Sequence, residues 1–123
     1  MNGFLLAAAI AGFITCGIHV TAGGRDIARP LLAARDLADV PKLTHYYCWH
    51  LVTIVLFALG VAFLWAAYDP GAAELAWFAT AIALAFMIWG LALVVWKRQP
   101  TRLMPQWTLF AVIAALGLAG LWS

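Results

Sequence analysis

His45-Tyr46-Tyr47-Cys48-Trp49-His50 opens an apolar run that continues to Ala67, and the reading of this stretch decides the fold. A helix needs roughly 20 apolar residues, at about 1.5 Å rise each, to cross the hydrocarbon of a bilayer. The run from His45 to Ala67 meets that length without a charged residue. Its first turn and a half nevertheless carries two histidines and a cysteine. The remaining histidine, His19, and the remaining cysteine, Cys16, lie near the end of the preceding apolar segment. If both segments span, all five residues lie toward one membrane face.

Composition points to lipid as the solvent. Of the 123 residues 67% are hydrophobic and 10% charged, against about 25% charged in a soluble domain. The sequence therefore predicts an all-α integral membrane protein, a single domain over residues 1–123. The expected architecture is a four-transmembrane-helix bundle with helices at about 3–22, 44–68, 72–96 and 105–122. Met1-Asn2-Gly3 has no basic residue, so the first segment does not read as a secretory signal. No internal repeat is visible, which argues against an inverted-repeat transporter. The seven basic residues fall in two short loops, which excludes a nucleic-acid surface.

Outward from the central stretch, the first loop runs from Gly23 to Leu43. Gly23-Gly24 is expected to end the first helix, since glycine accepts a positive φ. Pro30 to Ala38 reads as a short helix lying in the interface between helices 1 and 2, its arginines near lipid phosphates. Asp69-Pro70-Gly71 is a turn, and Lys97 to Arg102 a tight basic loop. All Lys and Arg residues lie in the first and third loops. Short basic loops stay cytoplasmic, so both termini should face outward, in a bacterial inner membrane. Trp49, Trp96 and Trp107 toward the basic side, with Trp65, Trp77 and Trp122 toward the other, form two aromatic belts.

Small residues supply the expected packing faces. Ala8, Gly12, Cys16, His19 and Gly23 share one face of the first helix. Gly60 on the second helix and Gly117 and Gly120 on the fourth are further points where backbones can approach closely in lipid.

The chemistry-bearing residues converge on one depth. His19 and His50 fall roughly 6 and 9 Å inside the boundary, from about 1.5 Å per residue. Ionisable residues at such depth usually face the bundle. Rotation about an ideal helix sets His50 in line with Tyr46, Thr53, Phe57 and Gly60, and leaves His45 at the entrance. His50 should then be the most consequential histidine, His19 second and His45 last. Two histidines on neighbouring helices could hold a haem between them. Cys16 with His19, or His45 with Cys48, at a spacing of three, could chelate a transition metal. No Cys-x-x-Cys or Cys-x-x-Cys-His motif is present, and on the cytoplasmic side both cysteines should be thiols.

Three functions follow from these residues. The first is a small membrane protein binding a metal or haem through His19 and His50. The second is a non-catalytic structural or accessory subunit, acting in a homo-oligomer or a larger membrane complex. The third is a small oligomeric channel or transporter, for which the absence of a buried acid is unfavourable. Alternatively, imidazoles at this depth simply hydrogen-bond a neighbouring helix.

Overall fold

The computed structural model describes residues 1–123 and contains helices joined by short links, with no strand. α1 covers Gly3–Ile18. It runs without a break into ten residues of wider, π-helical turns, His19–Ala28, and then into the short α2, Arg29–Ala33. α3 is Asp39–Tyr68, α4 is Ala73–Trp96 and α5 is Gln106–Leu121. A single 3-10 turn, Pro70–Ala72, links α3 to α4.

Three of these helical stretches are long and apolar enough to cross a membrane: Gly3–Ala33, Asp39–Tyr68 and Pro70–Trp96. α5 is apolar but shorter, with 16 residues, or about 24 Å at 1.5 Å per residue.

Two local expectations are corrected. Gly23-Gly24 does not end the first helix: no glycine has a positive φ, and the helix passes straight through. Its turns widen there, and the Arg29 N–H donates to the Gly24 carbonyl five residues back. Glycine permits a left-handed cap but does not impose one, and the unbroken helix keeps its backbone groups bonded internally. The separate interfacial helix over Pro30 to Ala38 is likewise absent. Helix persists only to Ala33, Ala34 turns extended, and α3 already begins at Asp39. Pro41 is tolerated there because the first N–H groups of a helix have no intrahelical partner to lose. Asp39 opposes the positive end of the helix dipole.

α1 packs against α3 and α5, and α4 against α5, while α3 and α4 touch less closely. The centre is filled by Leu56, Phe63, Thr80 and Ile113. The Thr80 hydroxyl is satisfied by the Ala76 carbonyl at 2.7 Å. Only 22 of 123 residues are buried, so close backbone contact has to compensate for a thin core.

Glycines make that contact. A Cβ on Gly12 would stand 3.3 Å from the Gly60 Cα, so α1 and α3 meet backbone to backbone. A Cβ on Gly60 would enter the Phe13 ring, one on Gly117 would strike the Thr80 hydroxyl and Phe63, and one on Gly120 would meet Leu5.

Asn2 ties the end of the bundle where the termini meet the α3–α4 link. Its Oδ1 accepts from the Phe4 and Leu5 N–H groups, capping α1. Its backbone N–H donates to Ala67 at the end of α3 at 2.8 Å. Its Nδ2 donates to the Gly120 carbonyl of α5 at 2.7 Å. One residue thus joins three helices. At the opposite end, α4 closes with Arg98 at φ 52°. The Gln99 N–H reaches the Val94 carbonyl and the Arg98 N–H the Val95 carbonyl, the two bonds of a left-handed helix cap.

Two glycines of α1 provide a test of the contact. Gly12→Leu inserts a side chain into the backbone contact and should destabilise the protein in detergent by about 1–3 kcal/mol. Gly17 has open space around its Cβ position, and Gly17→Ala should cost nothing or stabilise by up to about 1 kcal/mol through helix propensity. Equal thermal shifts for the two variants would mean that α1 and α3 do not meet at Gly12.

Candidate functional site: the His19–Trp49 node

His19 marks the change from ordinary to widened turns on the first helix. Its imidazole lies flat on the indole of Trp49 in α3, with ring centroids 3.9 Å apart and planes 18° from parallel. The His19 Nε2 is 3.2 Å from the Trp49 carbonyl. A carbonyl can only accept, so Nε2 carries the proton and donates. The neutral ring then keeps one free lone pair, on Nδ1. The Thr53 hydroxyl donates to the same carbonyl at 3.3 Å, and the Cys16 thiol points at the Thr53 carbonyl at 3.7 Å.

Gly23 allows this stack to form. A Cβ there would come within 2.7 Å of the far edge of the Trp49 ring. The indole therefore lies against bare backbone in the widened helix while its face covers His19. Widened helical turns occur frequently at functional sites. Here they coincide with the docking of one aromatic side chain.

The structure thus brings Cys16 and His19 of the first helix together with Trp49 and Thr53 of α3. It does not bring the other candidate ligands into the same cluster. His50 is exposed and meets Tyr46 edge to face, with centroids 4.7 Å apart. Phe57 on the same stripe is also exposed, whereas Thr53 and Gly60 on its other edge do meet α1, so only that edge of the stripe faces inward. Trp49, one residue earlier and about 100° around the helix, points inward instead. His45 is exposed, with Nδ1 2.8 Å from the Pro41 carbonyl, and Cys48 is exposed as well. Both cysteines are free thiols.

No three His, Cys, Asp or Glu side chains approach one another closely enough to share a metal ion. For a haem held between two histidines, both rings must aim a lone pair at one iron. His19 has one ring face covered and one nitrogen committed to a carbonyl, while His50 is exposed beside Tyr46. As arranged, the node is suited to locking two helices together.

Two contributors escaped the sequence reading. Trp49 was legible only as part of an aromatic belt, although Gly23 facing it hinted at a close approach. For Asn2 the missed signal is its capping position, because asparagine ahead of an apolar helix is a standard N-terminal signal. Its links to α3 and α5 have no signature in the sequence.

No family model matches the chain, and comparison with curated proteins and with solved structures finds no match.

The geometry changes the expected order of the histidines. His19→Ala should be the most damaging, by about 1 kcal/mol, the usual worth of a polar contact between membrane helices. The cost stays modest because Thr53 still donates to the Trp49 carbonyl. His50→Ala and His45→Ala should each lie within about 0.5 kcal/mol of the parent, as exposed positions usually do. Thermal unfolding of the three variants in one detergent measures this. A greater loss for His50→Ala would restore the order read from the sequence.

Proposed function

We propose that the chain is a four-span membrane protein of the bacterial inner membrane that acts as a non-catalytic accessory subunit of a larger assembly. Support for membrane placement comes from three helices of spanning length and from large apolar side chains exposed on every face. Ile10 and Ile14, Ile54 and Phe57, Phe78 and Trp89, and Val112 are examples from successive helices. α5 reverses the chain against α4, so that the fourth apolar segment completes the bundle.

Support for orientation comes from charge. Asn2 meets Ala67 and Gly120, which gathers both termini and the α3–α4 link at one end. All seven lysines and arginines lie at the other end, from Arg25 to Lys42 and from Lys97 to Arg102. Short basic links stay cytoplasmic, so both termini lie outside.

The observation that carries the accessory reading is the commitment of His19. Its donor is held by the Trp49 carbonyl and its face by the indole, so the least exposed imidazole acts as a fastener. A channel or transporter is less well supported, since Thr15 and Thr80 are the only buried polar side chains. Binding of a metal or haem has one observation in its favour: Nδ1 of His19 has no hydrogen-bond partner in the chain.

Spectroscopy and topology together provide the test. Protein purified in mild detergent should show a tryptophan spectrum with no Soret band and no stoichiometric transition metal. Its native mass should exceed that of one chain. A Soret band or one bound metal per chain, lost in His19→Ala, would replace the accessory reading with cofactor binding. A reporter fused after Ser123 should read as external and one inserted near Arg98 as cytoplasmic; the reverse pattern would overturn the orientation.

A further inference from the structure

The end of the bundle opposite the His19–Trp49 node holds a cavity of about 850 Å³. That volume lies within the usual range for small-molecule sites, about 300–1,000 Å³. It exists because small residues line it: Gly3 and Ala7 from α1, Ala66 and Ala67 from α3, and Ala73 from α4. Leu116 and Leu121 of α5 add apolar wall, Trp77 forms one side, and Asn2, Asp69 and Ser123 supply the polar part. A second, apolar hollow of about 560 Å³ is also lined by Asp69, together with Trp65 and Tyr68.

Asp69 therefore lines two hollows, each with an aromatic ring in its wall. Its carboxylate accepts from the Gly71 N–H at 2.8 Å and from the Trp65 indole N–H at 3.3 Å. An ionised carboxylate has about four acceptor positions, so acceptor capacity remains. No lysine or arginine balances it. The ion pairs in the chain are Arg25 with Asp26 and Lys42 with Asp39, both at the far end. No lysine or arginine occurs between Lys42 and Lys97, before Arg25 or after Arg102. Asp69 and Glu74 are the only charged side chains at this end. By contrast, the Asn2 amide is fully engaged.

We propose that this end binds an amphiphile with an ammonium head, its apolar chain in the cavity and its head between the Asp69 carboxylate and the Trp77 ring. An apolar hollow favours the chain, the unpaired carboxylate favours a cation, and aromatic faces attract ammonium groups through their quadrupoles. A primary or quaternary ammonium on an alkyl or acyl chain satisfies all three. The chemistry is common to aminophospholipid headgroups and to free alkylammonium compounds. The inference is independent of the accessory reading, since it concerns the other end of the molecule.

Hexyltrimethylammonium, titrated calorimetrically into the full-length protein in maltoside micelles, is the probe. Saturable binding is expected, and Asp69→Asn, which keeps the acceptor for Gly71, should weaken it about tenfold, the factor that follows from about 1.4 kcal/mol. Glu74→Gln removes the same charge from a residue outside both hollows and should leave binding unchanged. Trp77→Leu should weaken binding without touching the turn at Asp69. Binding of neutral 1-hexanol should not respond to Asp69→Asn. Native mass spectrometry separates the two sources. Retained phosphatidylethanolamine, displaced by the probe while phosphatidylglycerol is not retained, identifies the headgroup as ligand. Probe binding without retained phosphatidylethanolamine identifies a free amphiphile. Absence of saturable binding, or equal weakening by Asp69→Asn and Glu74→Gln, would overturn the proposal.

Discussion

Where α1 crosses α3 neither helix carries a side chain, and a Cβ on Gly12 would stand 3.3 Å from the Gly60 Cα. That separation governs what can be built on either side. Association of helices in lipid draws little from the hydrophobic effect, since lipid tails are as apolar as leucine. Dispersion between closely approaching backbones takes its place, and it falls off steeply with distance. Two helices held this near bring their flanking polar groups within reach of each other. Toward one end lies the His19–Trp49 stack, and at the other Asn2 bridges α1 to α3 and α5. The pair is thus closed at both ends by hydrogen bonds and in the middle by the absence of side chains.

Each polar device inside the bundle also answers a local demand. Thr80 returns its hydroxyl to its own helix at Ala76, and Thr53 returns its hydroxyl to Trp49. His19 donates across to the neighbouring helix, where it stabilises a contact that propensity alone would not provide. One group remains unmatched: the Trp107 indole N–H is buried without a partner in the chain, although its residue packs closely on Gly90. Outside the apolar zone the constraint relaxes, and there the charged residues of the first link sit in the open.

Much of the architecture was legible in the residues because run length and apolarity speak directly to helix and solvent. The apolar segments appear as three long helices and a shorter one, the first running past its expected end to Ala33 and the second starting earlier, at Asp39, and the glycines read as contact points do face neighbouring side chains or backbone. The course of the first link was less legible. Gly23-Gly24 is compatible with both a cap and a continued helix, and the choice depends on Trp49 arriving from α3, a tertiary event. The inward face of α3 lies partly round from the stripe through His50, reaching Thr53 and Gly60 but not His50 or Phe57, for a related reason. Counting 100° per residue from His45 orders the side chains around the helix but does not say which of them meets α1. The Gly12–Gly60 contact makes that choice, turning Trp49 inward and leaving His50 exposed. Asn2 shows the same limit, since its capping role is local and its bridging role depends on three helix ends converging.

The central claim is that His19 fastens α1 to α3 by donating from Nε2 to the Trp49 carbonyl. Nitrogen NMR of protein labelled at histidine, in bilayers or detergent, reads the protonation of each ring nitrogen directly. His19 should be neutral, with its proton on Nε2, and this proton should exchange slowly with water. A proton on Nδ1 with a bare Nε2, or rapid exchange like that of exposed His45, would contradict the fastening role and leave the imidazole free for another partner.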